Sequence, residues 1–184
     1  MTGSGQAREA GDHGISGLLT SRIRDIPDYP KPGIVFKDIT PLLGDGPAFA
    51  EVIRALAAGS QGVTKVAGIE ARGFILAAPV ACELGAGFVP VRKQGKLPAQ
   101  TYAQTYELEY GTATLEVHTD AFTADDRVLI VDDVLATGGT AAATVSLVER
   151  TGAKVAGIVV LLELTFLAGR DKIPGIEVRS LLPV

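Results

Sequence analysis

Two adjacent carboxylates, Asp132 and Asp133, follow the apolar run Val128-Leu-Ile-Val131 and lead through Val134 and Leu135 into a small turn, Ala136-Thr137-Gly138-Gly139-Thr140. Like charges side by side at the edge of a core repel each other. They fit there only if something else meets them: sugar hydroxyls, a metal-bound water, or a cation that develops during a reaction. The turn offers the complementary chemistry, because glycines let a backbone approach a ligand closely and the N–H groups and positive end of a starting helix suit a phosphate. An aspartate capping a helix after a strand is the plainer reading, and the turn alone leaves both open. No G-x-G-x-x-G stands at a strand-to-helix turn and no G-x-x-x-x-G-K-[ST] occurs, so dinucleotide and P-loop sites are excluded. A nucleoside-monophosphate cradle of another kind remains.

Other residues could share that chemistry. Glu70-Ala71-Arg72-Gly73 closes the run TKVAGI and opens a helical segment, a second helix-end anion site. Arg72 is open to two readings, a ligand contact or a surface ion pair. Arg92, Lys93 and Lys96 gather where a polar excursion begins, and by charge alone they form a solvated face. Glu107 and Glu109 alternate onto one strand face in Tyr106-Glu-Leu-Glu-Tyr-Gly111, and Tyr110 beside them reads equally well as packing. Val35-Phe36-Lys37 stands in a proline-rich connector, where Phe36 is either a stacking platform or core filler. Cys82 is the only cysteine and reads as a small buried hydrophobe. His13 and His118 stand apart, without the cluster that zinc requires.

These residues need a scaffold. From Thr64 onward, short β-branched runs (TKVAGI, GFVPVR, RVLIV, KVAGIVVLL) alternate with helical segments (GFILAAPVACEL, TAAATVSLVER). That alternation predicts right-handed crossovers and a doubly wound, mostly parallel α/β sheet with flanking helices. Ligands of such sheets bind at the carboxyl ends of the strands, which is where the aspartate pair falls. Ile15, Leu18, Leu19, Ile23 and Ile26 keep helical spacing, as do Phe49, Val52, Ile53 and Leu56. Between them DYPKPGIVFKDITPLLGDGP reads as an irregular connector. Residues 93–126 leave the sheet as a polar segment whose alternation predicts a solvent-exposed hairpin, and residues 1–14 read as a disordered tail before a single domain over 15–184.

With 184 residues, 47% hydrophobic and 21% charged, the chain suits one core. Its net charge of −4 argues against a broad basic face for nucleic acid or anionic lipid. No apolar run reaches the roughly 20 residues of a membrane helix, and no secretory leader is visible, so a cytoplasmic protein is expected.

The thirteen residues from Val128 to Thr140 resemble the phosphoribosyl-pyrophosphate signature of type I phosphoribosyltransferases. DYPKPGIVFKDITPLL, GIEARGF, FVPVRKQGKLP and YELEYGTATLEVH narrow the likeness to the adenine-specific members, in their order and spacing, from about Ile23 to Leu182. The resemblance implies a hood over about 15–45, a flexible β-hairpin flap over about 93–126, and transfer of ribose 5-phosphate from phosphoribosyl pyrophosphate to N9 of adenine. It implies that Ala136, Thr137, Gly138, Gly139 and Thr140 grip the 5-phosphate, that Asp132 and Asp133 face the ribose, and that the turn from Glu70 to Gly73 meets the pyrophosphate, with Arg72 also near the base. It makes Glu109 rather than Glu107 the residue that handles the adenine proton or favours the base's reactive tautomer, places Tyr110 in the flap, and gives Val35, Phe36 and Lys37 to the purine. Lys37 departs from the arginine often found there, which leaves backbone contacts as its surer role. Mg²⁺ on the diphosphate and a homodimer, in which the Arg92, Lys93 and Lys96 segment reaches the neighbour's site, complete what the likeness implies. A transferase for hypoxanthine, xanthine or orotate, and a non-catalytic sensor of the donor, are the alternatives.

Overall fold

A computed structural model describes residues 6–107 and 111–184. The chain divides into two compact units, one ending at Ala55 and one beginning at Leu56.

The first unit holds helix α1 (Gln6–Arg22), strands β1 (Arg24–Pro27) and β2 (Val35–Asp38), helix α2 (Thr40–Gly44) and most of α3 (Gly46–Ala57). Helix α1 takes in residues 6–14, where composition predicts a tail. It stops at Arg22, so Ile26 belongs to a strand instead: Ile26 pairs with Phe36 in an antiparallel ribbon. The proline-rich connector is therefore not irregular throughout. Prolines exclude a long element, yet they leave room for a four-residue strand and for a short helix with proline in its first turn. Ion pairs between Arg24 and Asp38 (2.7 Å) and between Lys37 and Asp25 (2.7 Å) span the ribbon.

The second unit is an α/β sheet. Its strands are β3 (Lys65–Ile69), β4 (Gly87–Lys93), β5 (Thr101–Glu107), β6 (Thr112–His118), β7 (Arg127–Leu135), β8 (Lys154–Glu163) and β9 (Val178–Pro183), in the order β5-β6-β4-β3-β7-β8-β9. The run from β4 to β9 is parallel, while β5 and β6 extend one edge as an antiparallel pair. Helix α4 (Arg72–Leu84) and helix α5 (Gly139–Arg150) cover opposite faces, as the period of two requires. Ala67, Ile69, Val91 and Ile130 form a core with Leu147 and Val148 of α5, whereas Gly68 faces Ala77 of α4. Fully burying a Leu or Ile side chain is worth roughly 1.5–3 kcal/mol, so a few such residues outweigh the several kcal/mol that a buried acid costs.

Two expectations fail here. The hairpin does not stand away from the sheet: Leu115 and Val117 are buried, and Tyr102 and Tyr106 pack on the core beside α5. Alternation marks one face for burial, and α5 covers it. Cys82 is exposed, because α4 buries the stripe Gly73, Leu76, Ala77, Val80 and Ala81, and the next residue turns about 100° away from it. Among the described residues no helix is long and apolar enough to cross a membrane.

Candidate active site

The carboxyl ends of β3 and β7 open into a cleft of about 470 Å³, lined among others by Glu70, Arg72, Lys93, Asp132, Asp133 and Thr140. Strand β7 runs on through both aspartates to Leu135, so their backbone is held rigidly in the sheet. Asp133 is only 5% exposed and Asp132 is half-buried. Asp132 Oδ1 accepts the Asp133 backbone N–H at 2.8 Å. A methyl group on Gly73 would come within 2.8 Å of that same oxygen, so the glycine in the first turn of α4 is what lets helix and carboxylate approach.

The pair is only partly satisfied. Arg72 Nη2 forms an ion pair with Asp133 Oδ2 at 2.8 Å, yet this buried oxygen lacks a hydrogen bond. Burial first, and then the neighbouring Asp133 charge, push Asp132 well above the ordinary aspartate range. Burial also raises Asp133, against the pull of Arg72. Desolvation and a like charge both disfavour the ionised forms, and a cation entering the cleft would reverse that.

The turn after β7 behaves as its composition suggests. Gly138 adopts φ 79° and starts α5 without any side-chain cap, and the first-turn N–H groups of a helix have no partners within it. Ala136 and Thr140 line the cleft, while Thr137 and Gly138 line a smaller cavity of about 70 Å³ behind it. Tyr106 of β5 reaches over this turn. Thr140 Oγ1 donates to the Tyr106 hydroxyl at 3.3 Å, and a methyl on Gly139 would come within 3.1 Å of the ring.

The second turn is filled by its own charges. Glu70 Oε2 accepts the Lys93 N–H at 2.9 Å and Arg92 Nε at 3.3 Å. Burial would raise Glu70, but these hydrogen bonds prevail and hold it below the ordinary range. Arg92 also donates to the Lys96 carbonyl at 3.0 Å, so the basic cluster is tied within the chain, with Lys93 at the cleft.

The structure thus brings Asp132, Asp133, Arg72, Lys93, Ala136 and Thr140 together. In the first unit Val35 is exposed, and the half-buried Phe36 packs its ring edge on Tyr29, with centroids 5.2 Å apart, so it is neither bare nor core filler. Lys37 gives its ammonium to Asp25. Glu109 and Tyr110 lie outside the described residues. Sequence reasoning places Gly73 in an anion-binding turn and Tyr106 in the flap, but misses that Gly73 lets α4 approach Asp132 and that Tyr106 packs on the glycine turn. The Arg-Gly pair at a strand-to-helix turn was the available signal for the first, and the period-two pattern for the second.

The model of the phosphoribosyl transferase domain matches residues 42–178. An adenine phosphoribosyltransferase of Streptomyces coelicolor is 64% identical over 162 residues, 87% of this chain and 89% of the relative. The chain belongs to the adenine phosphoribosyltransferases. Two solved structures of this family agree in fold. The enzyme from Rhodothermus marinus has a TM-score of 0.89 at 53% identity, covering 94% of this chain and 99% of the other. The enzyme from Saccharomyces cerevisiae, complexed with adenine and an imino-altritol bisphosphate, has a TM-score of 0.88 at 38% identity, covering 92% and 99%. The α/β sheet and its flanking helices are those of the type I family.

Proposed function

We infer that the chain transfers ribose 5-phosphate from phosphoribosyl pyrophosphate to N9 of adenine, yielding AMP and pyrophosphate in purine salvage. The observation that carries the site assignment is the aspartate pair, one of whose buried oxygens lacks a hydrogen bond, sharing one cleft with Ala136 and Thr140 at the two ends of the glycine turn. In this reading the turn from Ala136 to Thr140 holds the 5-phosphate, with the Thr137 and Thr140 hydroxyls and the first-turn N–H groups as donors. The bond from C1 to the diphosphate oxygen breaks as N9 bonds to C1, and the carbon gains oxocarbenium character. Asp132 and Asp133 face the ribose there, and their charge stabilises the electron-poor carbon more than it stabilises the ground state.

Among the described residues no group of three or more His, Cys, Asp or Glu could hold a metal ion. The Asp133 oxygen without a hydrogen bond instead suits a cation carried in by the substrate. Mg²⁺ on the diphosphate would offset its charge and improve it as a leaving group. Arg72 and Lys93, which line the same cleft, supply positive charge. Glu109 and Tyr110 take the adenine proton and the flap in this reading, and Val35, Phe36 and Lys37 read the purine.

The same proposal extends to a homodimer in the cytoplasm. Ile75 on α4 and Phe88 on β4, 43% and 38% exposed, are apolar side chains that a second copy would cover. Arg92 and Lys96 would serve that copy's diphosphate once the bond from Arg92 to Glu70 opens.

The test is direct. Purified chain with adenine, phosphoribosyl pyrophosphate and Mg²⁺ is expected to form AMP, and hypoxanthine, xanthine and orotate in place of adenine are expected to give little product. Absence of AMP under these conditions would reject the reading.

A further inference from the structure

The carboxyl end of β8 carries an acid and an arginine that the chemistry above leaves unused. Glu163, 6% exposed, receives two parallel hydrogen bonds from Arg170: Nε to Oε1 at 2.6 Å and Nη2 to Oε2 at 2.7 Å. Nη1 of the same guanidinium donates to the Val178 carbonyl at 2.7 Å. A two-pronged pair fixes orientation as well as distance. It closes the loop after β8 back onto the end of its own strand and onto the first residue of β9. The Leu164 N–H, donating to the Leu135 carbonyl at 2.9 Å, ties the same loop to the end of β7. Ala168 within it adopts φ 50°, a left-handed conformation uncommon outside glycine.

What this fork holds in place is Gly169. A methyl group on Gly169 would run into the Ala136 carbonyl oxygen and stand 3.1 Å from Gly138 N, and one on Gly138 would run into the Gly169 carbonyl oxygen. The loop after β8 and the turn after β7 therefore meet backbone to backbone, with no side chain between them to absorb a shift. Close-packed contacts of this kind transmit displacement. Neither Glu163 nor Arg170 lines the cleft, so any effect they have on the reaction passes through the loop they hold, whose Gly169 meets the turn directly.

We propose that the Glu163–Arg170 fork is a positioning device for the phosphate turn. Through Gly169 it sets where the N–H groups from Ala136 to Thr140 stand, and so governs affinity for the phosphoribosyl donor rather than for the base. This rests on the reading of that turn as the 5-phosphate grip.

The experiment compares wild type with Arg170→Met, Arg170→Lys and Gly169→Ala in steady-state kinetics and in calorimetric binding of ribose 5-phosphate. Arg170→Met is expected to raise KM for the donor roughly tenfold or more, since small misplacements of a binding group have effects of that order. KM for adenine should stay within about twofold, because the fork acts on one substrate only. Arg170→Lys, which keeps the charge but loses the paired geometry, should recover part of the loss. Gly169→Ala should reproduce the defect with the fork intact, and ribose 5-phosphate binding should weaken in step.

If the variants keep the wild-type donor KM and ribose 5-phosphate affinity, whatever happens to their melting temperatures, the fork is structural only and the proposal falls. Should Arg170→Met fail to fold, Arg170→Lys and Gly169→Ala decide. A wild-type chain that makes no AMP would sink the functional reading instead, and the ribose 5-phosphate titration would still judge the positioning on its own.

Discussion

Four acids stand at the carboxyl ends of three neighbouring strands, two of them neutralised by the fold and two left exposed to conflict. Glu70 after β3 is held by Arg92 and the Lys93 N–H, and Glu163 at the end of β8 is held by Arg170; hydrogen bonds keep both below the ordinary glutamate range. Asp132 and Asp133 on β7, between them, are both raised, and one buried oxygen lacks a hydrogen bond. A carboxylate already neutralised by its own chain has little left to give a ligand. Asp132 and Asp133, which burial raises more than the single Arg72 ion pair offsets, are the ones that a cationic carbon or a metal-loaded diphosphate can satisfy.

The contrast breaks or holds most clearly on turnover. Asp132→Asn with Asp133→Asn is expected to lower kcat by about three orders of magnitude, or ~4 kcal/mol of barrier, while circular dichroism stays native. A folded double variant with wild-type kcat would end the proposed role of the pair.

On stability the two kinds of acid should move in opposite directions. The pKa of Glu70 is lowered on folding, so its contribution is present above the ordinary value of 4.5 and fades as pH falls below it. Glu70→Gln should therefore cost about 1–3 kcal/mol at neutral pH, read by denaturant titration, with the deficit shrinking in acid. The pKa of Asp132 is raised on folding, so its contribution is present below the ordinary value of 3.8 and is lost as pH rises through the folded value. Asp132→Asn should therefore melt higher than wild type at neutral pH, by about 2–4 °C for each kcal/mol relieved, and the gain should vanish near pH 4. A lower melting temperature for Asp132→Asn at neutral pH would mean that the pair is balanced after all. The smallest effect belongs to a residue outside both groups: Cys82→Ser, on the exposed side of α4, should change stability by less than about 0.5 kcal/mol and leave kcat unchanged.

Much of this was legible beforehand. The strands from Lys65 to Glu163 announced themselves through β-branched runs between helical segments, and the aspartate pair with its glycine turn through residue types at adjacent positions. Such signals are local, so no partner from elsewhere in the chain is needed to read them. The ribbon of β1 and β2 was not legible, because Ile26 keeps helical spacing with Ile23 and only its pairing with Phe36 makes it a strand. Cys82 and the β5–β6 hairpin were misjudged for a related reason. Hydrophobicity says that a face will be buried, but the stripe of α4 and the cover by α5 decide which residues lie on it.

By itself the sequence determined the sheet, the family likeness and where the aspartate pair and the glycine turn stand at the end of β7, since those depend on backbone propensity and on neighbours within a few residues. Only the tertiary structure decided that Arg72 faces Asp133, that Arg92 belongs to Glu70, and that Gly169 braces Gly138. These are pairings between residues 22 to 61 positions apart, as the numbers of Glu70 and Arg92 and of Arg72 and Asp133 show, and nothing local specifies them. Strand order and crossover geometry do, by bringing the ends of β3, β7 and β8 to one edge of the sheet.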